Sequence, residues 1–177
     1  MTGGASARAA NAAVELQVPD ALRPLLEKHL DFLELAPDQL LDAGGRVALM
    51  RRARKEIREM LATEGYFSPT IERKDLEDGR LLVVVTPGGR THISSVDLRF
   101  TGDLTGGEGD RPARLAALRN AWGLQAGQPF RQADWDAAKQ RLLDALSTRE
   151  YAAASIVDSQ AVINPDTASA ELKVEVD

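Results

Sequence analysis

The chain has 177 residues, 44% of them apolar and 28% charged, with a formal net charge of −5. That length suits one ordinary domain or two small ones, and the charge supplies no large basic field for holding nucleic acid. No apolar run approaches the roughly 20 residues of a membrane-spanning helix, and with no cysteine there are no disulfides, thiolate nucleophiles or cysteine metal sites.

In chain order, residues 1–12 are small and polar without an apolar core, and read as a flexible tail. "VELQV" alternates as a short strand, with Val14, Leu16 and Val18 on one side. The next run places Leu22, Leu26, His29, Leu30 and Leu33 at helical spacing, with Pro24 tolerable in a first turn. A longer helix follows over "RVALMRRARKEIREMLATEG", with Val47, Met50, Ile57 and Leu61 as its inner stripe and Gly65 as its C-terminal cap. Tyr66 and Phe67 then drop onto the core. Pro69 marks the next strand as an edge, because proline donates no ladder hydrogen bond. Asp78-Gly79 gives a two-residue hairpin signal, and "LLVVV" returns as the most apolar strand.

The second half repeats this order. "ISSVDLRF" is a strand with Val96, Leu98 and Phe100 facing one way. A glycine-rich loop follows, then a helix ending near Gly123, then a longer helix with Trp135, Ala138, Leu142 and Leu146 inward. "ASIVDSQAVI" is the fourth element, with room for a bulge. "ASAELKVEV" alternates, with Ala168, Ala170, Leu172, Val174 and Val176 inward. Tyr66 and Tyr151 stand 85 positions apart, as do Ile71 and Ile156, whereas Val14 and Val96 stand 82 apart. The same five elements in the same order argue for a duplication.

The order dictates a topology. Strands two and three form a hairpin and are antiparallel; strand one reaches its partner through a helical crossover and is parallel. The most apolar strand takes the middle. The expectation is an α+β chain of two tandem β-α-α-β-β repeats, residues 13–88 and 89–177. Each repeat is a three-stranded mixed sheet of order 1-3-2 covered by two helices.

With that order in hand, "MLATEGYFSPTIE", "VTPGGRTHISSVDLRFTGD" and "FRQADWDAAKQRLLDALSTREYAAASI" resemble the polypeptide-transport-associated (POTRA) repeats, and among them those of TamA-like outer-membrane assembly proteins. The resemblance covers residues 12–177. Glu150 stands before the second tyrosine where the first repeat has Gly65. Such proteins carry a third repeat and a C-terminal membrane barrel, so a chain ending at Asp177 reads as a fragment. The resemblance implies a periplasmic arm that holds unfolded outer-membrane client polypeptides and docks a TamB-like inner-membrane-anchored protein. A POTRA arm of another secretion pore or a division scaffold fits the same fold, as does a structural spacer that binds no client.

An open sheet edge offers a physical route, since a guest strand can add to unpaired backbone groups. The candidate edge residues are Ser68, Thr70, Glu72 and Lys74 in the first repeat, and Ser155, Val157 and Ser159 in the second. Arg51, Arg52, Arg54 and Lys55 on the long helix are either an ordinary solvated face or a docking patch for an acidic partner or lipid headgroups, with Arg51, Arg52 and Lys55 the docking candidates. Tyr66, Phe67, Tyr151, Trp122 and Trp135 read as packing. His29 and His92 lie in different repeats, "TGGEGD" lacks the Lys-Ser/Thr of a P-loop, and no nucleophile elbow occurs. The expectation is a non-enzymatic binding module without cofactor, metal or nucleic acid.

Overall fold

In a computed structural model of the chain, residues 12–39, 42–106, 109–148 and 151–177 are described. The N-terminal segment read as a tail therefore lies outside them except for its last residue, and so does Glu150. The chain divides into two compact units, residues 1–62 with 68–88, and residues 63–67 with 89–177.

The first unit runs β1 (Val14–Gln17), α1 (Arg23–His29), α2 (Ala43–Thr63), β2 (Thr70–Asp75) and β3 (Leu81–Thr86). Its sheet has the order β1-β3-β2, with β1 parallel and β2 antiparallel to β3. The central strand is the apolar one, and its alternate residues Leu81, Val83 and Val85 are buried. Each contributes about 1.5–3 kcal/mol on leaving water. Two stripes are buried differently from the sequence reading. On α2 the buried row is Leu49, Met50, Ala53, Ile57 and Leu61, and Val47 is 52% exposed. At about 100° per residue, Val47 sits about 60° away from Met50 around the helix. In the first helix, α1 ends at His29 and Leu30 leaves the helical path with φ −99° and ψ 97°. A 3₁₀ turn at Asp31–Glu34 follows, so Phe32 is buried, Leu33 only half so, and His29 faces solvent.

The β2–β3 turn is also longer than the Asp78-Gly79 signal suggested. Leu76 N–H donates to Arg80 C=O at 2.8 Å and Gly79 N–H to Leu76 C=O at 3.0 Å, with Gly79 at φ +84°. That is a three-residue loop whose last position is left-handed, which glycine adopts without strain.

The second unit repeats the plan with β4 (His92–Phe100), α3 (Arg111–Trp122), α4 (Gln132–Ser147), β5 (Ile156–Asn164) and β6 (Ser169–Val176). Its sheet order is β4-β6-β5, again with one parallel and one antiparallel pair. Both units thus have the expected mixed α+β architecture, with four α-helices among the described residues. The core gathers Trp135, Ala138, Leu142 and Leu146 from α4 with Ala170, Leu172, Val174 and Val176 from β6. Trp122 and Trp135 meet edge to face at 5.5 Å. The register shifts between Ile156 and Asp158, so Val157 is the extra residue of a bulge.

Residues 63–67 group with this second unit. Gly65, at φ +91°, turns its carbonyl to accept from Thr91 N–H at 2.8 Å. Phe67 lies 5.9 Å from Phe130, and Arg90 lies over the Tyr66 ring. The two aromatics read as filling the first core therefore pack in the second unit.

Candidate functional site: the sheet edges and one helix face

In a strand, the N–H and C=O of a residue point to one side and those of the next residue to the other, so a single bond fixes the parity of a ladder. In the first unit Leu81 N–H donates to Ala13 C=O, which turns Leu81, Val83 and Val85 to β1. Leu82, Val84 and Thr86 therefore bond β2, where they pair with Lys74, Glu72 and Thr70. The Leu76–Arg80 bond has the same parity. The expected edge residues Thr70, Glu72 and Lys74 are on the edge strand, but their backbone groups are committed to β3. Ser68 keeps the same side, with its carbonyl against Gly88. The outward-facing groups of this edge belong to Ile71, Arg73 and Asp75, and Pro69 shares their parity, so its missing N–H costs the ladder nothing.

Arginines occupy part of both edges of this sheet. Arg54 Nε donates to Ile71 C=O at 3.4 Å on β2, and Arg23 Nη1 donates to Leu16 C=O at 3.2 Å on β1. Further along β2, Asp75 accepts from Arg73 at 3.0 Å and from Arg46 of α2 at 3.1 Å. The Arg73 hydrogen bonds, followed by those of Arg46, hold the Asp75 carboxyl below the usual carboxylate range against an opposing desolvation.

The second sheet is different. Ser155 and Asp177 exchange both backbone bonds, at 2.8 and 3.0 Å. Odd-numbered residues of β6 therefore face β5, while Ala168 and Val176 bond β4. Asp158, Gln160, Val162 and Asn164 are spent on β6. Ser159, Ala161 and Ile163 turn their N–H and C=O outward. Of the expected residues, Ser155 is committed to Asp177, Val157 is the bulge, and Ser159 carries free groups. No side chain caps the outward groups of Ser159, Ala161 or Ile163 among the described residues. Val157 and Val162 are 54% and 45% exposed.

The other edge, β4, divides in two. Its start is covered by residues 127–130: Ile93 N–H donates to Gln128 C=O and Gly127 N–H to Ile93 C=O. Thr101 N–H bonds Val176, so Val96, Leu98 and Phe100 turn outward beyond that cover. The sequence reading did not single out this stretch. Asp97 and Arg99, paired at 3.0 Å, flank it with charge.

On α2, the structure separates the three expected docking residues. Arg52 bonds Glu56 at 2.7 Å and reaches Asp31 at 3.5 Å, and the Glu56 hydrogen bond raises its pKa. Arg51 and Lys55 lie on another flank with Arg54, a member of the same expected cluster, and with Arg58, which the sequence reading left out of the patch. A cleft in the second unit holds Arg90, Arg131 and Arg141. Glu64 engages the first two, at 3.9 and 3.0 Å, and Arg141 caps the end of α3 by donating to Trp122 C=O at 3.0 Å.

Residues 108–177 match the family model described as POTRA, surface antigen variable number repeat. No curated protein matches the chain by sequence. Among solved structures, POTRA3-5 of Haemophilus influenzae BamA aligns at 18% identity and a TM-score of 0.46, covering 94% of this chain and 65% of that one. POTRA1-3 of Omp85 from Anabaena aligns at 13% and 0.48, covering 92% and 59%. The N-terminal domain of Omp85 from Thermosynechococcus elongatus aligns at 15% and 0.47, covering 93% and 61%. The chain spans less than two thirds of the length of each.

Proposed function

We propose that this chain is a tandem POTRA arm, working in the periplasm as part of an outer-membrane assembly factor of the TamA-like kind. It binds unfolded outer-membrane polypeptides and acts without chemistry of its own. The POTRA match over residues 108–177 supports the family, and the repetition of the same topology in the first unit extends it to the whole chain. A TamB-like inner-membrane-anchored partner and a C-terminal barrel in the parent protein belong to the same reading.

The observation that carries client binding is the outward backbone of Ser159, Ala161 and Ile163, within a stretch that holds no charge. A guest strand pairing there gains about 0.5–1.5 kcal/mol net per hydrogen bond. A few such bonds make binding weak and tolerant of sequence, which suits a handler of many clients.

The lack of native cysteine makes the test clean. Val162→Cys and Glu72→Cys each place one thiol on an exposed edge-strand position. A cysteine-bearing fragment of an outer-membrane strand is expected to cross-link at position 162 and much less at position 72. Equal trapping at both positions, or trapping at neither, overturns client binding at β5, and trapping at neither favours a spacer.

A further inference from the structure

The first unit carries a surface that strand addition does not use. Arg51, Arg54, Lys55 and Arg58 line a recess of about 470 Å³ on α2, with Val47 and Glu59 completing its wall. The row recurs at helical spacing, and the rise from Arg51 to Arg58 is about 10 Å. Arg54 is held by Ile71 C=O, which places the recess beside the outer edge of β2. Arg51, Lys55 and Arg58 have no carboxylate partner among the described residues, whereas Arg52, one position away, is doubly paired. Four cations against one carboxylate stand on a chain whose net charge is −5. The aliphatic stems of these side chains and the half-exposed Val47 give the recess an apolar floor under a charged rim.

We propose that this recess docks an acidic polypeptide segment, whose carboxylates meet Arg51, Lys55 and Arg58 while one apolar side chain rests on Val47. Charge complementarity selects the partner. The small apolar floor at Val47 favours a peptide over a bilayer, because it accommodates a single apolar side chain among the cations rather than a broad lipid surface. The site lies on a different unit from the β5 edge and stands or falls without it.

The test uses the full chain and three probes: a labelled peptide of repeated Glu-Ser-Leu triplets, its Gln-Ser-Leu counterpart, and phosphatidylcholine vesicles doped with phosphatidylglycerol. The acidic peptide is expected to shift amides of α2 between Val47 and Glu59, to bind more weakly as salt rises, and to bind better than the Gln peptide. Each exposed ion pair contributes little, so the triple variant R51E/K55E/R58E is expected to lose about tenfold in affinity. Circular dichroism of the milder R51Q/K55Q/R58Q variant separates lost charge from lost fold: it keeps the helix signal and still loses affinity. Equal binding of the two peptides, shifts elsewhere, or vesicle binding that the triple variant abolishes while the peptide stays unbound would each overturn the proposal.

Discussion

The two hairpin edges, β2 and β5, occupy the same place in the same topology and are guarded very differently. β2 is six residues long and four of them are charged; Pro69 precedes it, and Arg54 sits on the outward carbonyl of Ile71. β5 is nine residues long and has no charge from Ser159 to Ile163. Charge, proline and a capped carbonyl are the devices by which a natural edge avoids unwanted pairing, and β2 has all three. The comparison shows that protection of an edge is decided by a few side chains and is independent of the topology that creates it. A duplicated unit can therefore keep its core and differ at its rim.

The largest expected effect separates core from rim. Leu172→Ala empties a fully buried site on the central strand of the second sheet and should cost about 2–5 kcal/mol in urea denaturation. A loss under about 1 kcal/mol would mean that β6 is not the spine on which β5 rests. Next comes a pair of prolines on β5. Gln160→Pro removes a donor spent on β6 and should cost about 1–3 kcal/mol. Ala161→Pro removes an outward donor, so it should leave the ladder intact and abolish guest binding. If the two variants behave alike, the parity assigned to β5 is wrong.

Smaller effects come from opening the guarded edge. Arg54→Ala frees the Ile71 carbonyl at a cost below about 1 kcal/mol, since the bond it removes is long and partly exposed. Binding of an uncharged guest at β2, read from its amide shifts, should rise a few-fold. No change would mean that Pro69 and the charges already close that edge. The smallest effect is a titration. The Asp75 carboxyl is held low in the folded chain, chiefly by Arg73, so its contribution is complete above the unfolded value near 3.9. It fades as pH falls through the lower folded value. A carboxyl NMR titration should inflect below the ordinary aspartate range, and an inflection at the ordinary value would remove the Arg46–Asp75–Arg73 latch.

The fold was legible because its signals are local and strong. "LLVVV" marked the central strand of the first sheet, Asp78-Gly79 the turn before it and Pro69 the edge strand, and the alternation of β6 marked its buried face. The helix row of α4 was legible for the same reason, since Trp135, Ala138, Leu142 and Leu146 have one period throughout. What failed depended on a phase or on contacts distant in sequence. Val47 fits a helical period, but the phase of α2 is set by Leu49 and Ala53 beside Met50. His29 fits a stripe that the chain abandons at Leu30. The backbone direction of an edge residue depends on register, which no composition reveals, although Pro69 held a clue. A proline in an edge strand points its missing donor outward, and so do the residues two and four positions on, Ile71 and Arg73. The arginine caps at Ile71 and Leu16 join residues 17 and 7 positions apart, and nothing in their local sequence announces them.

Amide hydrogen exchange, residue by residue and with and without an extended guest peptide, tests the open rim of β5 most directly. In the free chain, Ser159, Ala161 and Ile163 should exchange fast between slow neighbours at Asp158, Gln160 and Val162, and guest peptide should slow those three amides. Protection that stays unchanged there, or that appears instead at Ile71 and Arg73 or at Val96 and Leu98, would contradict the account.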